Sequence, residues 1–380
     1  MQLKQRLAII LTLMAMFPLL ILLLQVLERV EADIEQRISS EIQQTLAKLS
    51  QEINTELNNQ KSIAFGLAKV PVVREFALLS NRVNAPLYDQ KAIQLAAFFL
   101  NYQSTVPSIQ ALRFTDLKGR TLVKVKEGHL VPVMQKRTAG RAVVELIESK
   151  PFFKHALKSD QKIIVSDFER GEVIGEVDFC PAMVRYTVPL YDDLDVKLGM
   201  LIINMWGRRV DYAVEGALGG TPGNAYIVEI NRQNKKRDGI YLYHKQGAKR
   251  FANQVGSTFK FSSDIGAEHW QTIQQTKQFG KIAKQGRLFF YHVYTPYKDR
   301  NTQWLLVIDI PRDTLFSPTT KIRSSISLLI LAVLIVSLLL ARWIAAKLAQ
   351  PIQQMSTLMT RYADGERQLR YEGKRSDEIE

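Results

Sequence analysis

The sequence holds a single cysteine, Cys180, in 380 residues. That excludes an intramolecular disulfide framework and a metal site built from clustered cysteines. With Pro181 behind it, Cys180 reads as a small buried residue rather than a redox sensor. Histidine is nearly as scarce: His129, His155, His244, His269 and His292 form no HExxH or other close ligand pair. The glycine cluster at 219–223 lacks the Lys-Ser/Thr ending of a phosphate loop and reads as a linker. No catalytic constellation, phosphoacceptor histidine helix, ATP-binding lobe or cyclase signature is legible, so neither a catalytic residue nor a metal or cofactor is expected in these residues. Acidic residues are also in deficit, 37 against 51 basic ones, for a net charge of +14. A content of 46% apolar and 23% charged residues excludes a disordered chain and a many-span transporter.

Two long apolar runs are present. Residues 7–27 carry no charge, and 21 residues at about 1.5 Å each are enough to cross a bilayer. Lys4 and Arg6 precede this run, and Glu28, Glu31, Asp33 and Glu35 follow it, which places the N-terminus in the cytoplasm. A cleaved signal peptide is the rival reading, but the run is long and no small-x-small site closes it. The second run, 324–341, is followed by Arg342 and Lys347, again on the inside. Two spans would then enclose a loop, 28–323, long enough to translocate as a domain. Most of the positive excess lies on that external domain, out of reach of cytoplasmic nucleic acid. It suits anionic small molecules or a membrane or envelope surface, beside the plainer reading of a solvated basic face.

Within the loop, Val30, Ile34, Ile38, Ile42, Leu46, Leu49, Ile53 and Leu57 recur at steps of three and four, one stripe of a long helix. The stripe could pack on its own domain or on a twin helix in a dimer. A second helix is expected over 89–102. Alternation and turns then predict strands at 109–115 and 121–125 around a turn at 116–119, a helix at 151–157, and strands at 162–168, 182–191 and 198–205. After the linker the order repeats: strands at 225–230 and 240–244, a helix at 268–276, and strands at 287–297 and 303–310. The fold class is therefore α+β, with two tandem antiparallel sheet units braced by a long N-terminal helix.

The phrases ALRFTDLKGRTLVKV (111–125), SKPFFKHAL (149–157), KLGMLIINMW (197–206) and AYIVEINRQNKKRDGIYLYH (225–244), in this order, resemble a bacterial double Cache sensor with PAS-like units. So does the stretch from WQTI at 270 to WLLVIDIP at 304–311. The tail, ARWIAAKLAQPIQQMSTLMTRYADGERQLRYEGKRSDEIE, resembles a HAMP module. Pro351 would open its first helix, Ile352, Met355, Leu358 and Met359 would form the seam, Gly365 would lie in the connector, and Asp377 and Glu378 would start the second helix. The resemblance implies a homodimer embedded in the bacterial inner membrane, with both termini cytoplasmic and the sensor periplasmic. It divides the chain into 1–6, the span 7–27, the sensor 28–323 (helical 28–105, membrane-distal unit 106–218, membrane-proximal unit 219–315), the span 324–341 and the module 342–380. The module would continue past Glu380 to an output domain, a histidine kinase or a diguanylate cyclase before a chemoreceptor bundle. Any enzyme would lie there. The rival from another class is an envelope protein-docking module.

The resemblance also implies a ligand site. Where amino-acid-binding members place an arginine, this sequence has Lys150. The aromatic positions are Phe152 and Phe153, the tyrosine position is Phe168, and the aspartate position is Asn204. A cation and an aromatic wall remain, but the anion for an ammonium group does not, so a small carboxylate or other anion is the expected ligand. Arg185 and Tyr186 on the adjoining strand are further candidates. The alternative is that the three phenylalanines are core and Lys150 is a surface cation.

Overall fold

A computed structural model of the chain describes residues 3–80, 87–133, 135–138, 141–220, 223–275, 278–315 and 317–365. It contains two compact parts, Ser39–Arg312 and the pair of ends Met1–Ile38 with Asp313–Glu380. Helix α1 (Leu3–Ala68) is followed by α2 (Pro71–Ser80) and α3 (Tyr88–Thr105). The α1 stripe is buried within its own chain at Ile42, Leu46, Leu49, Ile53 and Leu57. For these residues the choice between self-packing and a twin helix falls to the domain itself. Pro71 opens α2 at the first helical position, where its missing N–H is no loss.

The first sheet module contains β1 (Ile109–Asp116), β2 (Arg120–Lys126), β3 (His129–Leu130), the hairpin β4 (Gln135–Thr138) and β5 (Arg141–Val143), and β6 (Glu145–Leu146). Helix α4 (Pro151–Lys158), β7 (Ile164–Val165), β8 (Glu169–Arg170), β9 (Ala182–Tyr191), β10 (Lys197–Trp206) and α5 (Arg208–Gly216) complete it. The sheet runs β3-β2-β1-β10-β9-β7, with β6 on β2 and β8 on β9. The turn at 116–119 forms because the Asp116 carboxylate accepts from the backbone N–H of Lys118 and Arg120 at 3.0 and 2.9 Å. Gly119 there has φ +75°, a conformation that side chains resist.

Cross-strand partners share a face. Leu112, Ile203 and Tyr186 align on the face turned to α1, whereas Arg113, Ile202 and Thr187 align on the other. Helix α4 covers part of that second face by packing Phe153 and Ala156 among Ile147, Ile164, Met200 and Ile202.

The second sheet module holds β11 (Asn224–Ile230), β12 (Tyr241–Tyr243), α6 (Ala252–Val255), α7 (Phe261–Ile265), α8 (Ala267–Gln275), β13 (Phe279–Lys284), β14 (Arg287–Tyr294) and β15 (Gln303–Pro311), in the order β12-β11-β15-β14-β13. Phe261, Ile265, Trp270 and Ile273 of α7 and α8 fill its inner face against Tyr226, Val228, Leu305 and Val307. Strand β13 was not expected: it is an edge strand whose only buried residue is Ile282, so its sequence shows little alternation.

Arg237, in the turn between β11 and β12, joins the modules. It donates to Glu229 from Nε at 2.8 Å and from Nη2 at 2.5 Å, and Nη2 also reaches the Phe168 carbonyl at 3.0 Å. Burial works against its charge, but Glu229 outweighs burial and holds the guanidinium above its ordinary pKa.

The ends contain α9 (Arg312–Leu315) and α10 (Ser317–Ala363). Among the described residues, one window, Ser327–Ile344, is long and apolar enough to cross a membrane, with a mean hydropathy of 2.5. The first expected span lies in α1, and many of its side chains are outside the described residues. Pro351 does not open a helix; α10 runs through it. A helix carries a proline through by giving up one hydrogen bond, a cost of about 3 kcal/mol that the ladder on either side can sustain. Gly365, at φ +103°, follows the end of α10, and Asp377 and Glu378 lie outside the described residues.

Arg237→Met should strand the Glu229 carboxylate, which is 1% exposed, and destabilise the full chain by about 3–5 kcal/mol in urea unfolding. Adding Glu229→Leu should recover more than half of that loss, because an apolar pair of similar volume replaces a buried ion pair well.

Candidate functional site

A cleft of about 340 Å³ opens beside α4 on the sheet face carrying Arg185 and Thr187, with Pro151, Phe152, Ile164, Asp167, Glu169 and Arg300 among its lining. Its volume is at the small end for ligand pockets, roughly 300–1,000 Å³. Its shape begins with a register slip. Strand β7 pairs Val165 with Tyr186, and β8 pairs Glu169 with Met183. One strand advances one residue further than its partner between these pairs, which is a β-bulge. The segment 162–168, expected as one strand, is therefore interrupted after Val165. Ser166 holds the interruption in place: its N–H donates to the Arg185 carbonyl at 2.8 Å and its Oγ accepts from the Arg185 N–H at 2.9 Å. Asp167 consequently faces the cleft, while Phe168 turns away into the junction with the second module.

Arg185 is the cleft's central cation. Its guanidinium lies 3.9 Å from the centroid of the Phe152 ring, a cation–π contact. Its Nε donates to Asn204 Oδ1 at 3.2 Å, and the Asn204 amide donates in turn to Gln110 Oε1 at 3.1 Å. Asn204 thus spends its polar atoms on orienting Arg185. Because it is neutral, it adds no counter-charge of its own, and Glu169 is the first of the carboxylates that act on the arginine. Burial first, and then the neighbouring Arg113, push the Arg185 pKa down to about 10. Glu145, which also acts on Arg185, is already engaged by Arg113 and Lys124, each at 2.5 Å.

The expected site residues separate accordingly. Phe152 and Arg185 line the cleft. Asn204 stands behind Arg185. Phe153 is core under α4. Lys150 is exposed at the N-cap of α4 and does not line the cleft. Tyr186 follows Arg185 on the strand and so points to the opposite face. It is fully buried there, donating to Gln60 Oε1 at 3.1 Å and the Leu57 carbonyl at 3.3 Å on α1, and it borders a separate cavity of about 210 Å³. Phe168 packs on Phe251 and Trp304 at 5.9 and 5.4 Å between ring centroids. Gly207 makes room for it: a Cβ there would meet the Phe168 ring at 2.4 Å.

The cleft is not short of anions, as the neutral Asn204 had suggested. Asp167 and Glu169 line it, brought in by the bulge, which alternation along 162–168 could not reveal. Both already face cations. Asp167 lies 3.0 Å from Arg300 and 3.8 Å from Arg237, and Glu169 lies 3.5 Å from Arg237. Burial pushes the Glu169 carboxyl up, with Arg237 and Arg185 opposing it. His155, one helical turn from Phe152, also borders the cleft and was missed as a lone histidine on a short helix. Among the described residues no group of three or more His, Cys, Asp or Glu could hold a metal ion.

No protein-family model and no curated protein matches the chain. Solved structures do. The extracellular domain of a candidate histidine kinase aligns with a TM-score of 0.55 at 17% identity, over 76% of this chain and 96% of that one. A domain of a sensory box/GGDEF family protein from Vibrio parahaemolyticus aligns at 0.54 and 17% identity, over 74% and 98%. The chain has the fold of these extracellular sensory domains, as the resemblance to double Cache sensors implied.

Asn204→Asp should place a carboxylate on Arg185 with a depressed pKa. Its stabilisation should be present above the unfolded value of about 3.9 and be lost as pH falls through the lower folded value. The variant, compared with the parent by urea unfolding, should gain relative stability from pH 3 to pH 5. A relative loss over that range would show that burial of the new carboxylate outweighs its attraction to Arg185.

Proposed function

We propose that the chain is the input part of a two-pass inner-membrane receptor that senses a small anionic molecule outside the cytoplasm. The observation that carries this reading is the Arg185 guanidinium, held on Phe152 by a neutral asparagine inside a cleft, in a fold shared with extracellular sensory domains. The two carboxylates nearby are engaged by arginines of the second module, so the group left to attract a ligand is a cation. Phe152, Pro151 and Ile164 give an apolar floor, which favours a small carboxylate with a hydrocarbon or aromatic body. The apolar window in α10 and the charge-free run 7–27 support anchorage by two spans, with both termini inside.

Beyond the second span, Met355 and Met359 are exposed on α10, at 40% and 75%. Two copies pairing along that seam would cover them, as in a dimeric HAMP bundle. A ligand would act by binding one of two packings of that dimer better than the other. The receiving domain would be a kinase or a cyclase, with a chemoreceptor bundle less favoured. Candidate relay residues remain Pro351, Gly365, Asp377 and Glu378.

The full chain in detergent should be screened by thermal unfolding against a broad metabolite library. A true ligand at about 100 times its Kd contributes about 2.7 kcal/mol, a shift of roughly 3–5 °C for a chain of this size, and Phe152→Ala should remove most of it. No shift across the library, with specific retention of an envelope protein instead, would replace this reading with the docking module.

A further inference from the structure

The two sheet modules meet at a set of buried polar atoms that lack hydrogen-bond partners. Among the described residues these are Asp167 Oδ1, Arg300 Nε and Nη2, Tyr297 Oη and Trp304 Nε1, five of the eight such atoms found. They adjoin one another. Arg300 stacks on Tyr297 at 3.7 Å, Tyr297 lies 6.1 Å from Trp304 between centroids, and Arg300 Nε sits 3.0 Å from Asp167 Oδ1 without hydrogen-bond alignment. Buried polar atoms are normally satisfied, so a concentration of exceptions marks a place where a partner is taken up.

Arg300 belongs to the loop between β14 and β15 of the second module, yet it lines the cleft of the first. Its Nη1 is spent on the Val165 carbonyl at 2.9 Å and lies 3.3 Å from Asp299, which fixes the head of the side chain against β7. Nη2 remains. Across the same cleft Arg185 is held through Nε alone, so its two terminal nitrogens are also uncommitted among the described residues. Two guanidiniums, one from each module, therefore line one small cavity, and Nη2 of Arg300 is buried without a partner. Planar forks of this kind match a carboxylate in two-point fashion. Asp167 is the internal carboxylate that meets Arg300, at one point only, Oδ1 to Nε.

Resting on the sensing role proposed above, we propose that Arg300 of the second module completes the ligand site of the first. Arg185 and Arg300 clamp the carboxylate of the ligand between them, and that carboxylate competes with Asp167 for Arg300. The ligand then bridges the two modules, and its binding loosens the Arg300–Asp167 pair while Arg237 keeps its hold on Glu229. No such contribution is legible in the sequence, where Arg300 sits in a polar turn, Lys298-Asp299-Arg300-Asn301.

The test is binding to the full chain in detergent micelles, measured by isothermal titration with acetate, butyrate, succinate and benzoate, each against its uncharged amide. At least one acid should bind ten times or more tightly than its amide. Arg300→Gln should weaken that acid at least tenfold, Arg300→Lys should restore part of the loss by returning the charge without the fork, and Asp167→Asn should tighten binding by removing the competitor. Unliganded melting of each variant checks that it is folded; should Arg300→Gln fail to fold, Arg300→Lys and Asp167→Asn carry the same comparison. Equal affinity of Arg300→Gln and the parent, with Arg185→Gln abolishing binding, would overturn the bridge while leaving the cleft as the sensing site. Failure of every acid to bind better than its amide would overturn the clamp, and the sensing role would then be decided by the wider library.

Discussion

The part of the molecule that spans Ser39–Arg312 depends on one buried cation. Arg237 leaves the second sheet module, crosses to the first, and satisfies a carbonyl at Phe168 that the bulge has taken out of the β-ladder. A buried guanidinium is tolerable only with a full counter-charge and good geometry, and Glu229 supplies both. The arrangement constrains everything around it. Phe168 must fill the space between Phe251 and Trp304, Gly207 must lack a side chain, and Asp167 and Glu169 must lie within reach of arginines. The cleft is therefore a by-product of the way two modules are joined, and its charges belong to both.

The architecture was readable because it rests on periodicity. The strands expected at 182–191 and 198–205 are β9 and β10 almost residue for residue, since two covered faces make them near-continuous apolar runs between turns. The α1 stripe was readable for the same reason. Helix α5 was missed because it is short: it buries only Val210 and Val214 as apolar residues, and the rest of its hold is polar, with Asp211 taking Arg250 in a two-point pair at 2.8 and 2.9 Å and Glu215 accepting from Tyr243 at 2.9 Å. Those partners lie far along the chain, and no local pattern announces them.

The site was legible only in part. Phe152 and Arg185, both named from the sequence, line the cleft, but the single extra residue after Val165 reverses the side-chain parity of everything up to β8. That slip sends Phe168 out of the cleft and Asp167 in. Arg185 and Tyr186 were paired by adjacency, and the strand pleat assigns them to opposite faces. Asn204 was read as a ligand contact that had lost its charge. It stands one step further back, accepting from Arg185 Nε and orienting that arginine without adding a charge. Arg300 arrives from the other module, a long-range placement outside the scope of motif reading.

Occupancy of the cleft should be felt at the module junction. Amide hydrogen exchange on the full chain tests this most directly, with and without whichever small molecule raises its melting temperature. Added protection is predicted at residues 164–170, and altered exchange at the β14–β15 loop around Arg300 and at the turn holding Arg237. Protection confined to α4 and β9, with the loop and turn unchanged, would contradict the claim and reduce the junction to a structural seam.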